Sequence, residues 1–106
     1  MRVARLWTIV VKEGEDKKFA KALEEISVPF LKTRIGKGFL GMYLLRNRVI
    51  SNEITYITLW QSNHSLEKNL ASKEWKDALK RFEARGFQIG EPRIIHSDIM
   101  TTLESG

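Results

Sequence analysis

At 106 residues the chain has apolar side chains for one core, and its 42% hydrophobic content excludes an intrinsically disordered segment. It holds no cysteine, which excludes disulfides, thiolate metal sites and a cysteine nucleophile. The net charge of +5 arises from 18 basic residues scattered among 13 acidic ones, with no basic run longer than two, so no nucleic-acid partner is expected.

The N-terminal Met1-Arg2-Val3-Ala4-Arg5-Leu6-Trp7 lacks the long apolar stretch of a signal peptide, and no window is apolar enough for a membrane span. A cytoplasmic protein with no membrane partner is the expectation. Residues 3–11 are β-branched and aromatic, which predicts a first strand closed by the turn Lys12-Glu13-Gly14-Glu15-Asp16. From Glu15 the period changes: Phe19, Leu23, Ile26 and Phe30 fall at helical spacing, with lysines and glutamates between them. Pro29 predicts a kink or break near 27–29, with a helical continuation to about Thr33, before Gly36 and Gly38 turn the chain.

Two apolar runs, Phe39 to Leu45 and Ile54 to Trp60, read as an antiparallel hairpin with a polar loop. Ser62 or Asn63 then caps a helical stretch that runs to Arg85, with one interruption at Ala71-Ser72. A last strand runs from about Pro92 to Met100, and 101–106 form a short tail of the single domain. The order is β-α-β-β-α-β, the α+β ferredoxin-like arrangement of a four-stranded antiparallel sheet with helices on one face.

Strict alternation places Ile54, Tyr56, Thr58 and Trp60 on one face of the third strand and Thr55, Ile57 and Leu59 on the other. On the second strand it groups Phe39 with Tyr43 and Leu45, and Leu40 with Met42 and Leu44. Both faces are therefore apolar, while helices cover only one. A homodimer packed sheet to sheet is the expected partner arrangement.

The segment Ser27-Val28-Pro29-Phe30-Leu31-Lys32-Thr33-Arg34-Ile35-Gly36-Lys37-Gly38-Phe39-Leu40-Gly41 resembles the helix end, arginine and glycine turn of antibiotic-biosynthesis-monooxygenase domains. Leu59-Trp60-Gln61-Ser62 is similar to that family's strand-ending Trp-x-Ser, and Ala71-Ser72-Lys73-Glu74-Trp75 follows in the same order. The resemblance implies a dimeric α/β barrel with a small-molecule pocket between sheet and helices. It also implies that a small aromatic molecule is the ligand. Some members oxidise quinols or polyketides with dioxygen and no bound cofactor or metal, because an electron-rich phenolate can itself reduce dioxygen. Others degrade heme using Asn, Trp and His at positions that here hold Trp7, Asn69 and Leu79. Leu79 cannot ligate iron, so heme degradation by that route is not expected.

Within that resemblance Trp60, Tyr56, His64 and Asn69 are the candidate catalytic residues, and Trp7, Trp75, Arg5 and His96 the candidate substrate-binding ones. All but Asn69 have a plainer alternative. The tryptophans fill a core, Tyr56 packs, His64 is a solvated first-turn residue, His96 is a satisfied strand histidine, and Arg5 snorkels. The function expected is cofactor-independent monooxygenation of a quinol or polycyclic phenol. The alternative is a non-catalytic homodimer that binds a small ligand. Lys37 to Leu44 is superficially similar to an RNA-recognition signature, but it lies on the second strand, whereas that signature belongs on the third.

Overall fold

The computed structural model describes residues 1–104; of the expected tail, Ser105 and Gly106 lie outside the described residues. The elements are β1 (Val3–Val11), α1 (Asp16–Lys32), β2 (Phe39–Arg46), β3 (Glu53–Trp60), α2 (Asn63–Leu70), α3 (Lys73–Glu83) and β4 (Gln88–Asp98). They build one antiparallel sheet in the order β2-β3-β1-β4, with the helices packed on one face, as the ferredoxin-like pattern requires.

The period-2 pattern of β1 sends Val3, Arg5, Trp7, Ile9 and Val11 toward the helices, and all five are buried. The 3.6-residue period of α1 meets them with Phe19, Ala22, Leu23 and Ile26. One core cluster gathers Trp7, Ile9 and Val11 of β1 and these α1 residues with Ile54 and Phe82. A second, at the other end of the sheet, joins Val3, Leu31, Trp60 and Leu66.

Three features differ from the sequence reading. The expected break at residues 27–29 is absent, because α1 continues through Pro29 to Lys32. Pro29 stands within the last turn, and the carbonyl it deprives of a partner belongs to the exposed Glu25, where water can satisfy it. On β2 the register shifts between Phe39 and Gly41, so Leu40 is an extra residue in the ladder. Phe39 therefore turns inward with Met42 and Leu44, meeting Trp60 at 5.5 Å between ring centroids, while Leu40, Tyr43 and Leu45 face outward. Finally, β4 begins at Gln88, before Pro92, because the Gly90-Glu91-Pro92 stretch forms an irregularity in the ladder and does not end it. Gly90 supplies the positive φ of 74° there.

The interruption at Ala71-Ser72 separates α2 from α3, as expected. Ser62 is the α2 cap: its hydroxyl accepts from Ser65 N, and Ser65 Oγ accepts in turn from Ser62 N. Gly38 brings the β2 entrance against this helix. A Cβ there would meet Ser65 Cβ at 2.4 Å, and φ is 98°. Only glycine fits both demands.

Candidate functional site

Between the sheet and the helices, drawing on both core clusters, lies an inner cavity of about 70 Å³. Its floor is Arg5 and Trp7 from β1 with Tyr56, Thr58 and Trp60 from β3; its roof is Leu23 and Ser27 of α1, Leu66 and Asn69 of α2, and Trp75, Leu79 and Phe82 of α3. Neighbouring strands present these floor residues together because Arg5 pairs with Thr58 and Trp7 with Tyr56. Trp7 stacks on Phe19 at 6.3 Å and meets Tyr56 and Phe82 edge-on, so its indole fills the helix side of the sheet.

The polar groups in this apolar setting are few. Burial pushes the Tyr56 phenol up to about 12, with Ser27 and the Arg5 charge pulling back only partly, so Tyr56 is a neutral donor near neutrality and not a base. Trp60 is fully buried and donates its indole N–H to Thr58 Oγ1 at 3.0 Å, which occupies that donor within the chain. Arg5 is 9% exposed, its Nε has no hydrogen-bond partner, and its guanidinium lies 5.6 Å from the Trp75 ring centre. Desolvation lowers its pKa, yet a guanidinium titrates so high that it stays charged.

Asn69 is oriented from outside. Arg34 Nε donates to Asn69 Oδ1 at 3.2 Å, and Arg34 Nη2 reaches Ser72 Oγ at 3.2 Å and Glu74 at 3.5 Å. With its carbonyl oxygen held by Arg34, the Asn69 amide keeps its N–H₂ group as a donor without a partner among the described residues, and Asn69 lines the inner cavity. Ser72 also caps α3 by accepting from Trp75 N. Arg34 thereby ties the α2–α3 junction together.

Beyond Asn69 and Trp60 lies an outer cleft of about 510 Å³, lined by Arg34, Lys37, His64, Ser65, Lys68 and Glu74 among others. The structure thus brings Trp7, Arg5, Tyr56, Trp60, Asn69 and Trp75 to the inner cavity and puts His64 on the outer cleft, exposed at the start of α2. His96 sits across the ladder from Arg5 on β4, exposed and outside both linings. Sequence reasoning assigned no role to Arg34, Thr58 or Ser27. Arg34 stood in the recognised helix-end segment, which was a usable signal; the other two had none beyond strand and helix period. Among the described residues no three His, Asp or Glu side chains gather as metal ligands, and no helix is long and apolar enough to cross a membrane.

The profile of the antibiotic biosynthesis monooxygenase family matches residues 2–81. The chain belongs to that family. No curated protein matches it. Among solved structures, SnoaB, a cofactor-independent oxygenase from Streptomyces nogalater, is 18% identical over 98% of each chain with a TM-score of 0.74. Rv0793 from Mycobacterium tuberculosis is 12% identical over 98% of this chain and 100% of its own, also at 0.74. A conserved protein from Methanosarcina mazei is 14% identical over 92% and 91%, again at 0.74. At such identities these likenesses establish the fold. In this family member the positions of Trp7, Asn69 and Leu79 all line the inner cavity.

Proposed function

We propose that this family member is a cofactor-independent monooxygenase that oxidises an electron-rich quinol or polycyclic phenol in the inner cavity. The observation that carries the reading is the donor set in an aromatic-walled enclosure: the Asn69 amide held in place by Arg34, the neutral Tyr56 hydroxyl and the Arg5 guanidinium. Such a site stabilises negative charge on substrate and oxygen without reorganising.

The reaction balances without an external reductant. A phenolate gives one electron to dioxygen, the radical pair closes a carbon–oxygen bond, and the resulting hydroperoxide loses water. A naphthol and dioxygen then yield a naphthoquinone and water, with the phenol supplying both electrons and both hydrogens. The chain's task is to hold the anion, shield it and place donors where charge gathers.

The cavity of about 70 Å³ is smaller than such a substrate, so binding requires it to open. The wall expected to move is the start of α3, where Trp75, Ala78 and Leu79 are only half-buried and Phe82 alone is buried. Oxygen uptake with a panel of quinols and polycyclic phenols, corrected for autoxidation, tests the reading. Saturable uptake that Asn69→Ala lowers about a hundred- to a thousandfold is expected, on the scale of losing one oxyanion donor. Absence of uptake across the panel moves the assignment to a second reading, a non-catalytic ligand-binding protein. That reading is favoured by Tyr56 at about 12 and Trp60 spent on Thr58, which leave no base poised near neutrality in the cavity.

We also propose that the chain works as a homodimer through its uncovered sheet face. Leu6, Ile57, Tyr43, Leu45 and Ile95 share that face by register, and Tyr43, Leu45 and Ile95 are exposed by 59%, 48% and 44%. A contiguous apolar surface of this kind is uncommon on a monomer. Sedimentation equilibrium should give a dimer, and Tyr43→Lys with Ile95→Lys should give a folded monomer.

A further inference from the structure

We propose that the inner cavity selects an aromatic anion, whose negative oxygen sits beside Arg5 and whose ring packs among Trp75, Trp7 and Trp60. The inference rests on reading the inner cavity as the ligand site, and it narrows that ligand to its anionic form.

Arg5 is the one charged residue lining the cavity. Four arginines of the described residues form ion pairs, Arg2 with Glu104, Arg34 with Glu74, Arg46 with Asp16 and Arg85 with Glu25, and Arg5 is not among them. It is nevertheless more than nine-tenths buried, with Nε unpartnered. A buried charge without a counter-ion is costly, and methionine or leucine would fill the same inward position on β1 with no such cost. The expense is recovered when an anion occupies the site, because a guanidinium presents a planar fork of donors suited to a carboxylate or phenolate oxygen.

The surroundings agree in sign. Tyr56, Ser27 and the Asn69 amide add neutral donors, and no carboxylate lines the cavity to compete. The ligand must also be flat. Trp75 lies over the guanidinium at 5.6 Å, so an aromatic ring entering beside it meets an indole face and a cation together. His96, the cross-strand neighbour of Arg5, is exposed on β4 and contributes no negative charge.

A carboxylate and an ionised phenol share this chemistry, and three probes separate them. By isothermal titration calorimetry at pH 7, 2-naphthoate should bind at least tenfold more tightly than its neutral isostere 2-naphthamide. If the phenolate is also accepted, 2-naphthol should tighten as pH passes its own pKa, in the wild type and not in Arg5→Met. Arg5→Met should bring the naphthoate to naphthamide ratio to about one, and Arg5→Lys should keep part of the preference. Thermal unfolding of both variants confirms that they fold. Equal affinities in the wild type, no binding of naphthoate, or a preference that survives in Arg5→Met overturns the proposal. Anion preference without oxygen uptake removes the oxygenase reading alone; uptake from phenols without anion preference removes this one alone.

Discussion

The inner cavity and the outer cleft share a wall, Trp60 and Asn69, yet they handle charge in opposite ways. The outer cleft carries more cations, but its most buried one, Arg34, is engaged through Nε and Nη2 with Asn69, Ser72 and Glu74. The inner cavity has a single cation, and its Nε has no partner. The number of charges therefore does not locate a binding site here. The donors left over after the chain has satisfied its own needs do.

The contrast predicts opposite stability effects, and they are the largest expected. Arg34→Met leaves the Asn69 side-chain carbonyl without its donor and takes one of two donors from Ser72, and should destabilise by about 1–3 kcal/mol. Arg5→Met removes a buried unpaired cation and should stabilise by about 1–2 kcal/mol. At about 4–8 °C per kcal/mol for a domain of this size, thermal unfolding resolves both signs. Two shifts in the same direction would erase the distinction between the cavities.

A second test concerns how dry the inner cavity is. Tyr56 holds its proton to about 12 in the folded chain, whereas an unfolded tyrosine releases it near the ordinary value of about 10. Between those values the native state binds more protons than the unfolded one, so stability is undiminished below pH 10 and falls as pH rises toward 12. About two units correspond to roughly 2–3 kcal/mol at the upper end. Urea unfolding at pH 9 and 11.5 should show wild type losing more stability than Tyr56→Phe; equal losses would mean a solvated phenol.

Much of this was legible in the sequence, for identifiable reasons. The strand period grouped Tyr56, Thr58 and Trp60 on one face of β3, and periodicity needs no tertiary knowledge. Trp7 and Asn69 entered as site candidates through the family resemblance, because alternation alone does not say which face of a sheet with two apolar faces meets the helices. Leu40 was misplaced because alternation cannot register a bulge, and β4 was begun late because Gly90-Glu91-Pro92 reads locally as a turn although the ladder resumes on both sides. Arg5 could be named but not weighed: whether an arginine is partnered depends on side chains far away in sequence. For the same reason Arg34 was seen as part of a family segment while its grip on Asn69 was not.

The wall between the cavities gives a smaller effect. Asn69 and Leu66 ride on α2, an eight-residue helix whose first turn depends on the reciprocal Ser62–Ser65 bonds. Ser62→Ala should cost about 1 kcal/mol, as cap losses do. If the wall matters to the site, naphthoate affinity should fall in the same variant, because Asn69 is then less firmly placed. Unchanged affinity at reduced stability would assign α2 to the fold alone.

The smallest effect should come from the cations the outer cleft does not use internally. Lys37 and Lys68 are exposed lining residues, so their charge is screened by salt and their contribution to holding an anion is slight. They stand on the cleft that shares Asn69 with the inner cavity, however, and a positive field there raises the rate at which anions arrive. Replacing both by alanine should slow naphthoate association a few-fold at about 20 mM salt, have little effect at about 200 mM, and leave dissociation unchanged at either. Stopped-flow tryptophan fluorescence reads both rates. A tenfold faster dissociation would mean that the anion rests among the lysines and not against Arg5, because only groups that touch the bound ligand govern how long it stays.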